Sequence, residues 1–252
     1  MIETEDRDGV RILRLAHGKA SALDLELVEA LRAALANARN DTARAIVLTG
    51  SGSIFCAGVD LIRIAEGGPA YVRQYLPAFA ELMFALAETD VPLVVAANGH
   101  AIAGGAVLLA AGDRRLLADG PARVGYTEHQ VGVCFPPAAL ELIRFGVPAR
   151  QIERMLYGAA TYPADEALAL GFADEIVPPE DLTAHAIAVA RQFAEPAGSA
   201  FAVTKRLVRA GLLARMREAE AQFADAVLAQ WCAAETHATI GAYLDRVLRR
   251  QG

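Results

Sequence analysis

The sequence predicts an α/β fold that ends in a helical segment. Three observations carry this reading. Short apolar runs of strand length occur at residues 10–15, 45–49 and 91–97. Between them lie stretches with apolar residues at helical spacing, and from about residue 179 the pattern is nearly all helical. Strands alternating with helices indicate an α/β sheet, and the last third adds helices without strands.

Taken in order, residues 10–15 (VRILRL) read as a strand. Leu25, Val28, Leu31 and Leu35 then fall on one helical face, with Asp24 placed to cap the helix N-terminus. AIVLT at 45–49 is a short buried strand. The GSGS turn at 50–53 lacks the lysine of a phosphate-binding loop, so it reads as a plain turn leading into IFCAGVDL. Val72, Leu76, Phe79, Leu82, Met83 and Leu86 mark a helix, with Pro77 the expected point of breakage.

Residues 91–112 carry no charge and are long enough to span a bilayer. Their interior argues against a span. Pro92 opens a β-type run, Asn98-Gly99 signals a turn, Gly104-Gly105 weakens any continuous helix, and Asp90 and Asp113 close both ends. The reading is a buried strand, a tight turn and a short buried helix from Gly104. RRLLAD and ARVGY follow as strands, then PPAALELIRFG, PARQIERMLYG and PADEALALG as helices, then FADEIVP as a short strand.

Composition narrows the function classes. The 252 residues hold 24 Lys and Arg against 30 Asp and Glu, a net charge of −6. No basic block marks a nucleic-acid face. Cys56, Cys134 and Cys232 are far apart and odd in number, which fits neither a metal site nor a disulfide framework, but fits small buried hydrophobes in a reducing compartment. The N-terminal MIETEDRDG is acidic and shows no apolar signal region, so a cytoplasmic protein is expected.

Two loops are built to present backbone N–H groups. One is Cys56-Ala57-Gly58-Val59-Asp60, the other Ala103-Gly104-Gly105 at a helix start. Free N–H groups at such places can hold developing negative charge, and a pair aimed at one oxygen forms an oxyanion hole. The plainer alternative is glycine used for close packing.

Four ordered segments, HGKASALD at 17–24, IFCAGVDL at 54–61, NGHAIAGGAVLLAAGD at 98–113 and VGYTEHQVGVCFPP at 124–137, resemble the crotonase (enoyl-CoA hydratase/isomerase) superfamily. The similarity runs on through 163–178 and 182–194. It implies a spiral of strand–strand–helix units over residues 1–194, binding an acyl-CoA thioester, and a helical region over 195–252 for assembly as trimers or pairs of trimers. No separate cofactor is implied, since coenzyme A is part of the substrate. The resemblance assigns the two oxyanion N–H groups to Val59 and Gly104. It lays Lys19, Ala20, Ala22 and Leu23 along the CoA. Ala57, Gly58, Asp60, Leu61, Ala103 and Val107 line the same groove. It also turns Phe223, Val227, Leu228, Trp231, Ile240, Tyr243, Leu244 and Val247 toward a neighbouring subunit, with Arg246 near that neighbour's CoA.

The chain departs from the hydratase pattern at one place. Hydratases of the family use two glutamates, and the first of these positions is Val107 here. The second is Glu128 in TEHQVG. One remaining glutamate resembles the Δ3,Δ2-enoyl-CoA isomerases, in which a single carboxylate moves the proton. The alternatives are hydration, C–C cleavage, thioester hydrolysis, or a weakly catalytic acyl-CoA binder. Glu128 could also be an ordinary solvated glutamate. If its stretch is extended, His129 points to the opposite face. His100 and Cys134 are pocket-lining or packing residues in this reading, and Phe135 pocket or core.

Overall fold

A computed structural model describes residues 1–40, 43–195 and 198–248. Of the helical region expected over 195–252, residues 196–197 and 249–252 lie outside these. The elements run β1 (Ile2–Arg7), β2 (Val10–Leu15), α1 (Leu25–Asn40), β3 (Ala45–Gly50), β4 (Ile54–Cys56), α2 (Leu61–Ala87), β5 (Leu93–Ala97), β6 (His100–Ile102), α3 (Gly104–Ala110), β7 (Arg114–Ala118), β8 (Arg123–Gly125) and α4 (Pro137–Gly146). They continue with α5 (Ile152–Gly158), β9 (Tyr162–Pro163), α6 (Ala164–Leu170), β10 (Glu175–Val177), α7 (Leu182–Ala194), α8 (Gly198–Trp231) and α9 (Ala234–Leu248).

Two sheets form. The larger has the order β1-β2-β3-β5-β7-β10 and is parallel except for the β1–β2 hairpin. The smaller has the order β4-β6-β8-β9, parallel except at β9. Three successive strand pairs, β3-β4, β5-β6 and β7-β8, each add their first strand to the larger sheet and their second to the smaller. This is the spiral the resemblance implied.

The central strands are buried on both faces, and their residues alternate between two cores. Ile46, Leu48, Leu93, Val95 and Ala97 face the main core, while Ala45, Val47, Val94 and Ala96 face a second one. Helix α7 covers the second with Leu182, Ala186, Ile187 and Ala190.

Residues 91–112 are the expected buried strand, turn and helix, with β6 as an addition. No helix among the described residues is long and apolar enough to cross a membrane. Asn98 explains the turn: its Oδ1 accepts from Gly50 N at 2.9 Å and its Nδ2 donates to Gly52 O at 2.8 Å. Asp113 closes the segment as a partly buried anchor. Its carboxylate accepts from Leu93 N, Lys205 Nζ and Arg209, at 2.8, 2.5 and 2.7 Å. The last two tie α8 to the spiral.

Helix α2 does not break at Pro77. It is interrupted at Gly68 (φ 58°, ψ −158°) and runs on through Pro77. Gly68 tolerates a positive φ, and Pro69 disfavours helical geometry in the residue before it. Pro77 and Arg73, whose carbonyl loses its helical donor, are both exposed, so water reaches that carbonyl.

Asp24 does cap α1, its Oδ1 accepting from Leu27 N at 2.7 Å. Asp24→Ala is expected to cost about 1 kcal/mol of stability, read as a lowered urea midpoint at unchanged slope.

In the C-terminal helices the expectation drawn from their apolar face is corrected for Trp231 and Ile240, which turn into the chain's own core. Trp231 and Ile240 are fully buried in the chain's own core, and Val227, Leu228, Tyr243 and Leu244 pack against it. Only Phe223 of that set is strongly exposed, at 48%. Arg246 lies over the ring of Tyr243, 5.3 Å from its centroid.

Candidate active site

The two amide-presenting loops meet. Leu23 forms a parallel bridge with Val59: Leu23 N donates to Gly58 O at 2.7 Å, and Asp60 N donates to Leu23 O at 3.1 Å. In such a bridge the flanking residues carry the hydrogen bonds, so Val59's own N–H points the other way. Gly58 permits this with φ 86°. On that far side stands Gly104, close enough that a Cβ added to it would lie 3.5 Å from Gly58 Cα and 3.7 Å from Val59 N.

Gly104 opens α3. Ala103 before it has φ 49° and ψ −119°, a conformation rarely adopted by non-glycine residues. It is held there by donating to Gly125 O at 2.8 Å, while its carbonyl accepts from Ala106 and Val107. The N–H of Gly104 is thus the first of the helix and has no acceptor in its own turn. Gly105 is needed for a different reason. A Cβ there would stand 2.2 Å from the carbonyl oxygen of Cys56, so only glycine lets α3 press against β4. Among the described residues, no hydrogen-bond acceptor is found for Val59 N or Gly104 N.

Both amides border one narrow cavity of about 80 Å³. Ala57, Val59, Leu61, Ala103, Gly104, Val107 and Glu128 line it, as the sequence led one to expect. Gly58 and Leu23 sit directly behind the amides, and a Cβ on Gly104 would meet Leu23 Cδ1 at 2.9 Å. Lys19, Ala20 and Ala22 do not line the cavity. Their loop runs beside it, bonded through Ala57 N to Ala20 O at 3.0 Å. Asp60 also turns away and caps α2, its Oδ1 accepting from Ile62 and Arg63 N–H at 2.9 and 3.0 Å. His100 and Cys134 are packing residues, and Phe135 lines the cavity. His100 Nδ1 accepts from Arg123 N, and the Cys134 carbonyl accepts from the Trp231 indole.

Glu128 is the one carboxylate on the cavity wall among the described residues, and it is only 7% exposed. It opens a 3₁₀ turn over Glu128–Val131 rather than an extended stretch. His129 is exposed while Glu128 is buried, the outcome expected from an extended segment, but produced by a turn. Burial pushes the Glu128 carboxyl up to about 7, against the opposing pull of the Glu128 and Thr127 backbone N–H groups. Its Oε2 is buried with no hydrogen-bond partner among the described residues. A carboxyl in that state can take and return a proton near neutral pH.

Sequence reading missed several wall residues. Phe79 reads there as core, since it lies on the apolar stripe of α2. Thr127 had only its place beside Glu128 as a signal. Trp231 and Tyr243 read as subunit-interface residues, because nothing local shows where a helix's apolar face docks.

Residues 5–247 match the enoyl-CoA hydratase/isomerase family. The chain is 29% identical over 228 residues to human mitochondrial enoyl-CoA delta isomerase 1, covering 88% of this chain and 76% of that protein. It is 35% identical over 170 residues to a putative enoyl-CoA hydratase of Thermus thermophilus, covering 66% of each. The crystal structure of human mitochondrial Δ3,Δ2-enoyl-CoA isomerase superposes with a TM-score of 0.92 at 27% identity, over 100% of this chain and 99% of that one. Paired strands feeding two sheets, amides converging from separate loops and a match running nearly from end to end agree. The chain is an enzyme scaffold of the enoyl-CoA hydratase/isomerase family and belongs to that family.

Proposed function

We propose that the protein isomerises 3-enoyl-CoA to 2-enoyl-CoA, with Glu128 as the single acid–base group. The observation that supports this above others is the lone carboxylate on the cavity wall, with Val107 at the position of a second one. Glu128 as carboxylate takes a proton from C2. The electron pair moves into the thioester, whose oxygen becomes enolate-like and is held by the N–H groups of Val59 and Gly104. The enolate reprotonates at C4 from the same carboxyl. The double bond moves from C3–C4 to C2–C3, and Glu128 is regenerated as carboxylate.

Hydration asks for more. A water must be positioned, deprotonated as it attacks C3, and a proton delivered to C2. Two carboxylates normally share that work, and a missing acid–base group costs about 10²–10⁴ in rate. Isomerisation of a 3-enoyl-CoA is therefore expected to exceed hydration of the matching 2-enoyl-CoA by at least two orders of magnitude. Spectrophotometric rates on both substrates test this, and faster hydration would reject the isomerase reading.

A further inference from the structure

Beside the cavity lies a second apolar space that no step of the proposed reaction uses. It is a groove of about 340 Å³ between α2 and α8, lined by Leu76, Ala80, Phe84, Val227 and Leu228. Its acidic side chains Glu81 and Asp225 are exposed. Glu220, also at the groove, is engaged, accepting from Ala138 N at 2.9 Å.

The two spaces share Pro136 and the same two helices. On α2, Leu76 and Ala80 face the groove and Phe79, between them, faces the cavity. On α8, Val227 and Leu228 face the groove, and Trp231, one turn later on the same side, faces the cavity. The partition is thus Phe79, Pro136 and Trp231, all three buried.

Trp231 is the fixed part of this wall. It is 1% exposed, and its indole N–H donates to Cys134 O at 2.9 Å. Its neighbour Gln230 grips the same loop from both sides, donating to Gly132 O at 2.8 Å and accepting from Cys134 N at 3.2 Å. That loop runs from Glu128 to Pro136. The end of α8 is therefore bolted to the segment that carries the acid–base group.

We infer that Trp231 sets the acyl-chain length by closing the cavity against the α2–α8 groove, so that only short chains fit and a smaller residue at 231 opens the groove to the distal methylenes of long ones. The inference rests on the acyl-CoA reading of the cavity, and its test separates the two. A buried tryptophan sterically excludes a methylene chain, whereas a chain passing into the groove would bury apolar surface and gain roughly fourfold in affinity per methylene.

The experiment is calorimetric binding of saturated straight-chain acyl-CoAs, from butanoyl to hexadecanoyl, to wild type, Trp231→Ala and Trp231→Leu. Thermal melting followed by circular dichroism identifies the folded variants, and the leucine variant leaves the smaller void should alanine unfold the chain. In wild type, affinity should rise over the shortest chains and then level off or fall. In a folded variant it should go on rising, so that the ratio of long-chain to short-chain affinity grows at least tenfold. A wild-type affinity that climbs through the whole series overturns the inference, as does a plateau unchanged in a folded variant. Turnover of 3-enoyl-CoA is measured on the same wild-type preparation. A shifted binding profile with no isomerisation at any length sinks the isomerase reading and leaves Trp231 as the wall; no acyl-CoA binding at any length sinks both.

Discussion

Glu128→Gln is expected to slow isomerisation of a 3-enoyl-CoA by about two to four orders of magnitude while acyl-CoA affinity stays near that of wild type. Glutamine keeps the shape and much of the hydrogen bonding but cannot accept the C2 proton. Affinity survives because the groups assigned to the thioester oxygen are backbone amides of Val59 and Gly104, on other loops. Turnover and calorimetric binding on one purified variant decide the matter. Unchanged turnover removes Glu128 from the mechanism, and loss of turnover together with binding and fold makes it a structural glutamate. The pH profile supplies an independent check. In the proposed mechanism Glu128 works as the carboxylate, and burial raises its carboxyl to about 7. So kcat/KM should rise about tenfold per pH unit below that value and level off above it. In the glutamine variant the inflection should disappear.

Gly104→Pro is expected to lower kcat by about 10²–10³, the usual cost of one missing oxyanion donor. Proline is tolerated at the first position of a helix, where its absent N–H has no intrahelical partner to lose. What it removes here is the donor itself. It also burdens Ala103, already at φ 49°, because a residue before proline prefers extended geometry. Gly104→Ala separates the two effects. Alanine keeps the N–H and adds a Cβ whose one tight contact is the end of the Leu23 side chain, at 2.9 Å, with Gly58 Cα and Val59 N at ordinary van der Waals distances of 3.5 and 3.7 Å. The alanine variant should therefore keep most of the activity the proline variant loses. Equal losses in both would mean that Gly104 is required for packing, and the amide assignment would fall.

The backbone devices of this protein are legible along the chain because they are local. Asp24 before an apolar helical stripe is a cap, and it caps. Asn98-Gly99 and Gly104-Gly105 interrupt an apolar run that would otherwise read as a membrane span, and the run folds as strand, turn, strand and helix. Other elements left no readable trace. The strands β4, β6 and β9 are two or three residues long, too short for any alternation to show. Five of the six residues of β1 are exposed, so pairing with β2, not an apolar pattern, makes it a strand. The break in α2 falls not at Pro77 but at Gly68-Pro69, where a residue that tolerates a positive φ precedes one that disfavours helical geometry before it.

By itself the sequence determined the α/β class and the family, and it pointed to two glycine loops and to Glu128. Only the tertiary structure decided that these belong to one cavity. The Leu23–Val59 bridge turns one amide toward Gly104, the pressing of α3 on Cys56 brings the other beside it, and a 3₁₀ turn buries Glu128 against both loops' cavity. It also decided where the C-terminal helices go. Helix α8 has apolar residues spread around much of its surface, so nothing in its own sequence distinguishes a neighbour's face from the chain's own core. The Asp113–Lys205–Arg209 cluster and the indole of Trp231 dock one side of the helix onto the spiral. Side-chain periodicity encodes which face of an element is buried; what it is buried against depends on contacts between residues about a hundred positions apart, which no local pattern records.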